Sequence, residues 1–172
     1  MSIALEAYTA EGLLTGGVAG PGRLADLLTK ETAVSVEHAV ITPFDGSPRR
    51  TQCRSSFETD DLLIVVVSPE TVTPVHAVWH PVSVDLGPYR VRGALPSLPG
   101  FDPARAIARP SGSFVLLGRL TVELREQGPS ERADEHGFAY VNRYAVDAVE
   151  SDISLAFYFP GALTAGSPGA IA

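Results

Sequence analysis

The chain has little of what usually betrays a chemistry. One cysteine among 172 residues excludes an internal disulfide framework. Residues 16–22, Gly-Gly-Val-Ala-Gly-Pro-Gly, are dense in glycine but lack the Lys-Ser/Thr ending of a phosphate loop, and Pro21 removes a backbone donor. The longest apolar run, residues 62–67, falls far short of the roughly 20 residues that span a bilayer, so no membrane partner is expected. No basic stretch followed by an apolar core succeeds Met1, which makes the cytoplasm the expected location. Positive charge is scarce as well: the formal net charge is −7, with five basic and ten acidic side chains in residues 1–80 and eight and ten in residues 81–172. Such a field repels phosphate backbones, so nucleic acid is disfavoured unless a local basic patch overrides it.

Turn chemistry is abundant. Fourteen prolines and sixteen glycines punctuate a chain that is 45% hydrophobic, which predicts short strands, tight turns and an all-β, mainly antiparallel fold. The pattern also reads as one β unit written twice, offset by about 80 residues. Tyr8, Ala10, Gly12 and Leu14 have the spacing of Tyr89, Val91, Gly93 and Leu95. Pro21-Gly22 and Pro99-Gly100 then each introduce a short helical insert. In the first, Leu24, Leu27 and Leu28 fall at helical spacing; in the second, residues 101–109, Asp102-Pro103 offers an N-cap and a proline at the first helical position. A strand with Val34, Val36, His38 and Val40 on one face answers another with Phe114, Leu116, Leu120, Val122 and Leu124. Phe57 leads into residues 62–67 as Phe138 leads into residues 144–149. The expected organisation is a first repeat over residues 1–70, a linker or shared strand over 71–80, a second repeat over 81–160 and a flexible tail over 161–172. Units of about 70 residues are marginal alone, so the two are expected to pack together.

The order of elements in each copy resembles the five-stranded barrels of the Sm-like class. It also resembles an uncharacterised bacterial domain with the signatures Tyr-x-Val-x-Gly-x-Leu, Gly-x-Arg-x-x-Asp-x-Leu and Val-Asn-Arg-x-x-Ile. Tyr89, Val91, Gly93 and Leu95 carry the first, and the segment Val141-Asn142-Arg143-Tyr144-Ala145-Val146 the third. Gly22, Arg23, Asp26 and Leu28 approach the second. The resemblance implies two tandem Sm/SH3-like barrels and edge-to-edge or ring-like association. Sm-like RNA binders use an Asp-x-apolar-Asn segment and an Arg-Gly pair; here Asn142 precedes Arg143 and Tyr144 follows it.

Candidate chemistry is thin. His76 and His80 are four apart, so on a strand both imidazoles face one side and are a candidate metal pair, though no third ligand accompanies them. Cys53, beside Arg49, Arg50 and Arg54, is a candidate thiolate nucleophile, but sharing a strand face with Phe57 favours a packing role. Glu58, Asp60 and Asp61 form an acidic cluster suited to a solvated turn, and His38 falls on an apolar face. The only dense basic segment holds Arg49, Arg50 and Arg54, which with Arg143 form the nucleic-acid-binding candidates. No cofactor is implied. The expected function is that of a non-catalytic interaction or assembly module of the bacterial cytoplasm whose partner is another copy or another protein. Its interface candidates are the strand edges holding Leu62, Ile64, Val66, Phe157, Tyr158 and Phe159. RNA binding through the arginine hairpin is the alternative, and an enzyme or metal protein with an unrecognised site the third.

Overall fold

A computed structural model describes residues 2–20, 22–67, 77–97, 112–127, 133–151 and 159–165. Among the described residues the fold is all-β with one α-helix. Strands β1 (Ser2–Tyr8) and β2 (Gly12–Ala19) precede the helix α1 (Leu24–Lys30), followed by β3 (Ala33–Pro43), β4 (Arg50–Glu58) and β5 (Ile64–Val67). Then come β6 (Val78–Leu86), β7 (Tyr89–Ser97), β8 (Phe114–Leu124), β9 (Asp134–Asn142), β10 (Val146–Ser151) and β11 (Leu163–Ala165). All eleven strands join in one sheet, ordered β11-β10-β6-β7-β8-β9-β5-β1-β2-β3-β4. Every pairing is antiparallel except β10 with β11. The sheet is not closed, so it does not form the two closed barrels expected; strands of the two halves instead continue one another where β5 pairs with β9. No helix among the described residues is long and apolar enough to cross a membrane.

The β5–β9 seam is buried on both faces. Leu62, Val65 and Val67 belong to a first core with Leu5, Leu14, Val34 and the α1 residues Leu24 and Leu28. Leu63 and Ile64 belong to a second core with Val84, Val91, Leu117 and Val141. This accounts for the unbroken apolar run at residues 62–67: a strand covered on both sides needs apolar side chains at every position. The cores are also shared. Phe114, Leu116, Phe138 and Tyr140 from β8 and β9 pack on the first, while Tyr8 from β1 enters the second.

Two expectations of strand facing are corrected by bulges. In β3, Val34 and Val36 are buried, but His38 has a φ of 50° and is exposed, after which Ala39 and Ile41 take the inward positions. His38 therefore does not lie on the apolar face. In β8, Arg119 has a φ of 52°, and the inward set changes from Val115 and Leu117 to Leu120 and Val122, with Phe114 and Leu116 turned toward the other core. An extra residue shifts the period-2 alternation by one place, which a strict alternating pattern cannot anticipate.

The alignment of Tyr8 with Tyr89 as equivalent positions also fails, because Tyr8 ends β1 and Tyr89 opens β7. Of the expected helices, α1 forms with Leu24 and Leu28 buried; residues 101–109 and most of the expected linker, 71–76, lie outside the described residues. The tail departs from expectation at residues 163–165, which pair with β10 just after the buried Phe159.

Candidate functional site

The structure separates most of the residues that the sequence nominates. Arg49 and Arg50 stand at the entrance to β4, where Arg50 forms an ion pair with Glu11, and Arg54 donates through Nε to Ser35 Oγ at 3.0 Å. Arg143 lies in the other half, buried in the β9–β10 turn with its guanidinium 5.0 Å from the Tyr144 ring centre. The four arginines thus form no common face. Cys53 is exposed on β4 rather than packed, because β4 is an edge strand with little above it. His80 Nε2 lies 2.8 Å from Ser97 Oγ, and His76 is outside the described residues. Among the described residues no three His, Cys, Asp or Glu side chains are grouped to hold a metal. Glu58, Asp60 and Asp61 are exposed around a single 3-10 turn.

The interface candidates need the largest correction. Leu62 and Ile64 are fully buried and Val66 half-buried, because β5 is an interior strand flanked by β1 and β9. Phe159 is buried in the second core, and Phe157 and Tyr158 lie outside the described residues. The edges of the described sheet are β4, nine residues long, and β11, three residues long.

Two clusters that sequence reasoning missed are built from strands distant in the chain. At the seam, the Tyr8 hydroxyl donates to Asp134 Oδ2 at 3.0 Å and lies 2.8 Å from His136 Nε2. With the phenol donating to Asp134, the imidazole N–H donates to the phenol oxygen. The same His136 nitrogen is 3.9 Å from Glu6 Oε1, so β1 and β9 are linked by a chain of polar groups. Burial, reinforced by the charge of Asp134, pushes the Tyr8 phenol well above the usual tyrosine range. It stays protonated and acts as a donor rather than a base.

Beside it, Tyr8 and Tyr89 meet edge to face at 5.3 Å, and Tyr89 meets Phe44 at 6.1 Å. The Tyr89 hydroxyl donates to the Thr9 carbonyl at 2.6 Å, and burial raises its pKa too. Phe44 is 41% exposed and borders an open groove of about 680 Å³ that also carries Pro43, Pro48, Glu11, Asp45 and Arg49. Within that groove Asp45 accepts from the Ser47 amide at 2.8 Å, and hydrogen bonding from the Ser47 side chain, then from its amide, holds the carboxyl below the usual range. Both charge signs line it, so it presents no dominant field to an anionic ligand.

A third cluster ties together β6, β7 and β8. Asp85 accepts from Arg90 Nε and Nη2 at 2.7 and 2.9 Å and faces Arg125 at 3.7 Å. The Arg90 hydrogen bonds hold the Asp85 carboxyl below its ordinary value despite partial burial. Buried Glu123 is paired with Arg92 at 3.0 Å. These groups are paired with one another, an arrangement suited to fixing strands. No protein-family model, curated protein or solved structure matches the chain.

Proposed function

We propose that the chain is a non-catalytic assembly module built from a duplicated five-stranded unit, which associates with further copies through strand edges. The observation that carries this reading is the seam. Strand order is β5-β1-β2-β3-β4 in one half and β10-β6-β7-β8-β9 in the other, so at β5–β9 the fifth strand of one unit pairs with the fourth of the next. Register supports the equivalence: Ala7 opposes Val65 as Val84 opposes Val149. So do the bulges, with His38 and Arg119 at matching places in β3 and β8. On this reading the chain contains one copy of the joint by which such units add to one another, and among the described residues β4 leaves the outer edge of a fourth strand unpaired. Unpaired strand edges are ready templates for association.

The test is absolute mass in solution across a wide concentration range. The expected result is a discrete multiple of 18.1 kDa that grows in with concentration. A mass that stays at one chain at every concentration, with β11 in place and with it displaced, overturns the reading.

RNA binding is the second reading, and one observation favours it: the exposed Phe44 ring shares a groove with Arg49, a pairing that suits base stacking beside a phosphate contact. Glu11 and Asp45 in the same groove and the engagement of Arg50 oppose it. The absorbance ratio on the same elution peaks separates the two: salt-labile nucleic acid lost on Arg49→Glu would establish RNA binding in place of assembly.

A further inference from the structure

Resting on the assembly reading, we infer that β11 is an intrachain latch occupying the strand edge that a second copy needs. The argument starts from the seam register, where Ile64, Val65, Val66 and Val67 of β5 oppose Val141, Tyr140, Ala139 and Phe138 of β9. The fifth strand of the second unit is β10, and its match to β5 is set by the partner strands: Val149 opposes Val84 as Val65 opposes Ala7. The fourth strand of the first unit is β4, and its match to β9 is set in the same way: Phe57 opposes Val34 as Val141 opposes Val115. Transferring the seam to the free edges places Ala148 opposite Phe57 of a second copy, Val149 opposite Ser56, Glu150 opposite Ser55 and Ser151 opposite Arg54.

The residues of β10 that this register engages are largely those already taken. Ala148, Val149 and Glu150 pair with Leu163, Thr164 and Ala165 of β11. That pairing is the one parallel contact in the described sheet and covers three residues. Leu163 is 77% exposed, so little packing holds the strand in place. A three-residue parallel ladder is weak beside the antiparallel pairing that a nine-residue strand such as β4 offers. Phe57, half-buried at the rim of the first core, gains cover from Ala148 in the joined register. The latch thus sets the concentration at which copies join, and the partner it holds off is a second copy of this chain.

Two full-length variants test this. Thr164→Pro removes a backbone donor from β11 while leaving Phe159 in the core, and is expected to lower the midpoint concentration of association about tenfold, comparable with the loss of one or two strand hydrogen bonds. Ala148→Cys with Leu163→Cys, in a Cys53→Ser background, places two thiols on directly opposed residues at a spacing that a disulfide accepts. Oxidised, this chain is expected to remain a monomer; reduced, it is expected to associate as the wild type does. Equal association of the wild type, Thr164→Pro and the oxidised double-cysteine chain overturns the latch and leaves the assembly reading standing. Monomers in every case, with Thr164→Pro shown to be folded by circular dichroism, overturn the assembly reading and the latch with it.

Discussion

Tyr8→Phe isolates the polar chain that crosses the seam. The substitution keeps the ring, which is 5% exposed and packed edge-on against Tyr89, and removes only the hydroxyl shared by Asp134 and His136. A hydrogen bond to a charged partner contributes about 1.5–3 kcal/mol. Asp134 is exposed and regains water when the hydroxyl is lost, whereas the His136 side chain is only 12% exposed and regains less. The expected loss is therefore about 1.5–2 kcal/mol at pH 8, or roughly 3–8 °C in Tm for a chain of this size.

The pH dependence gives a second readout. Tyr8 in the folded protein holds its proton beyond the ordinary value of 10.0, so its contribution is full below pH 10 and is lost as the unfolded phenol ionises above it. The stability gap between wild type and Tyr8→Phe should shrink by about 1.4 kcal/mol by pH 11. Urea unfolding at pH 8, 10 and 11 measures both quantities. A gap under about 0.5 kcal/mol at pH 8, or one that does not change with pH, would refute the assignment of the hydroxyl as a buried seam donor.

Two further predictions concern local geometry and acid stability. A Cβ on Gly16 would sit 2.5 Å from Val36 Cγ1 and 2.9 Å from the Glu37 carbonyl, whereas one on Gly93 would sit 3.1 Å from the Gly118 carbonyl. Gly16→Ala should therefore cost about 3 kcal/mol and Gly93→Ala about 1 kcal/mol in denaturant unfolding; the reverse order would contradict the placement of β3 against β2. Asp85, its carboxyl pKa depressed chiefly by the Arg90 hydrogen bonds, contributes stability that is full above the ordinary value of 3.8 and is lost as pH falls below it. Asp85→Asn should remove that part of the acid dependence and cost about 1 kcal/mol near neutrality, which thermal unfolding at pH 7 and pH 3 can read.

The sequence made the class of fold plain, but it could not say where residues 62–67 sit. An unbroken apolar run suits both an edge awaiting a partner and an interior strand buried on two faces, and only the pairing of β5 with β9, about 75 residues apart in the chain, decides for the second. His38 and Arg119 were illegible for another reason. Neither residue type announces a positive φ, so the alternation read through them put His38, Val40 and Leu116 on the wrong faces. The tyrosine alignment erred because it compared opposite sides of two hairpins: Tyr8 ends β1 and pairs forward with Leu13, whereas Tyr89 opens β7 and pairs back with Leu86. The Tyr8, Asp134 and His136 cluster gave no signal, since Tyr8 is more than 120 residues from the other two and no spacing rule links it to them.

The sharing of both cores across the seam bears on how the chain is made. A ribosome that has released residues 1–67 has delivered every strand of the first half, but not Phe114, Leu116, Phe138 or Tyr140, which complete its core. Until those emerge, β5 exposes both an unpaired edge and the Ile64 face, a transient hazard for a nascent chain. Selection on codon usage, chaperone engagement or expression temperature would act on the interval between the synthesis of Val67 and that of Asn142, a stretch in which the growing protein must wait for its own second half.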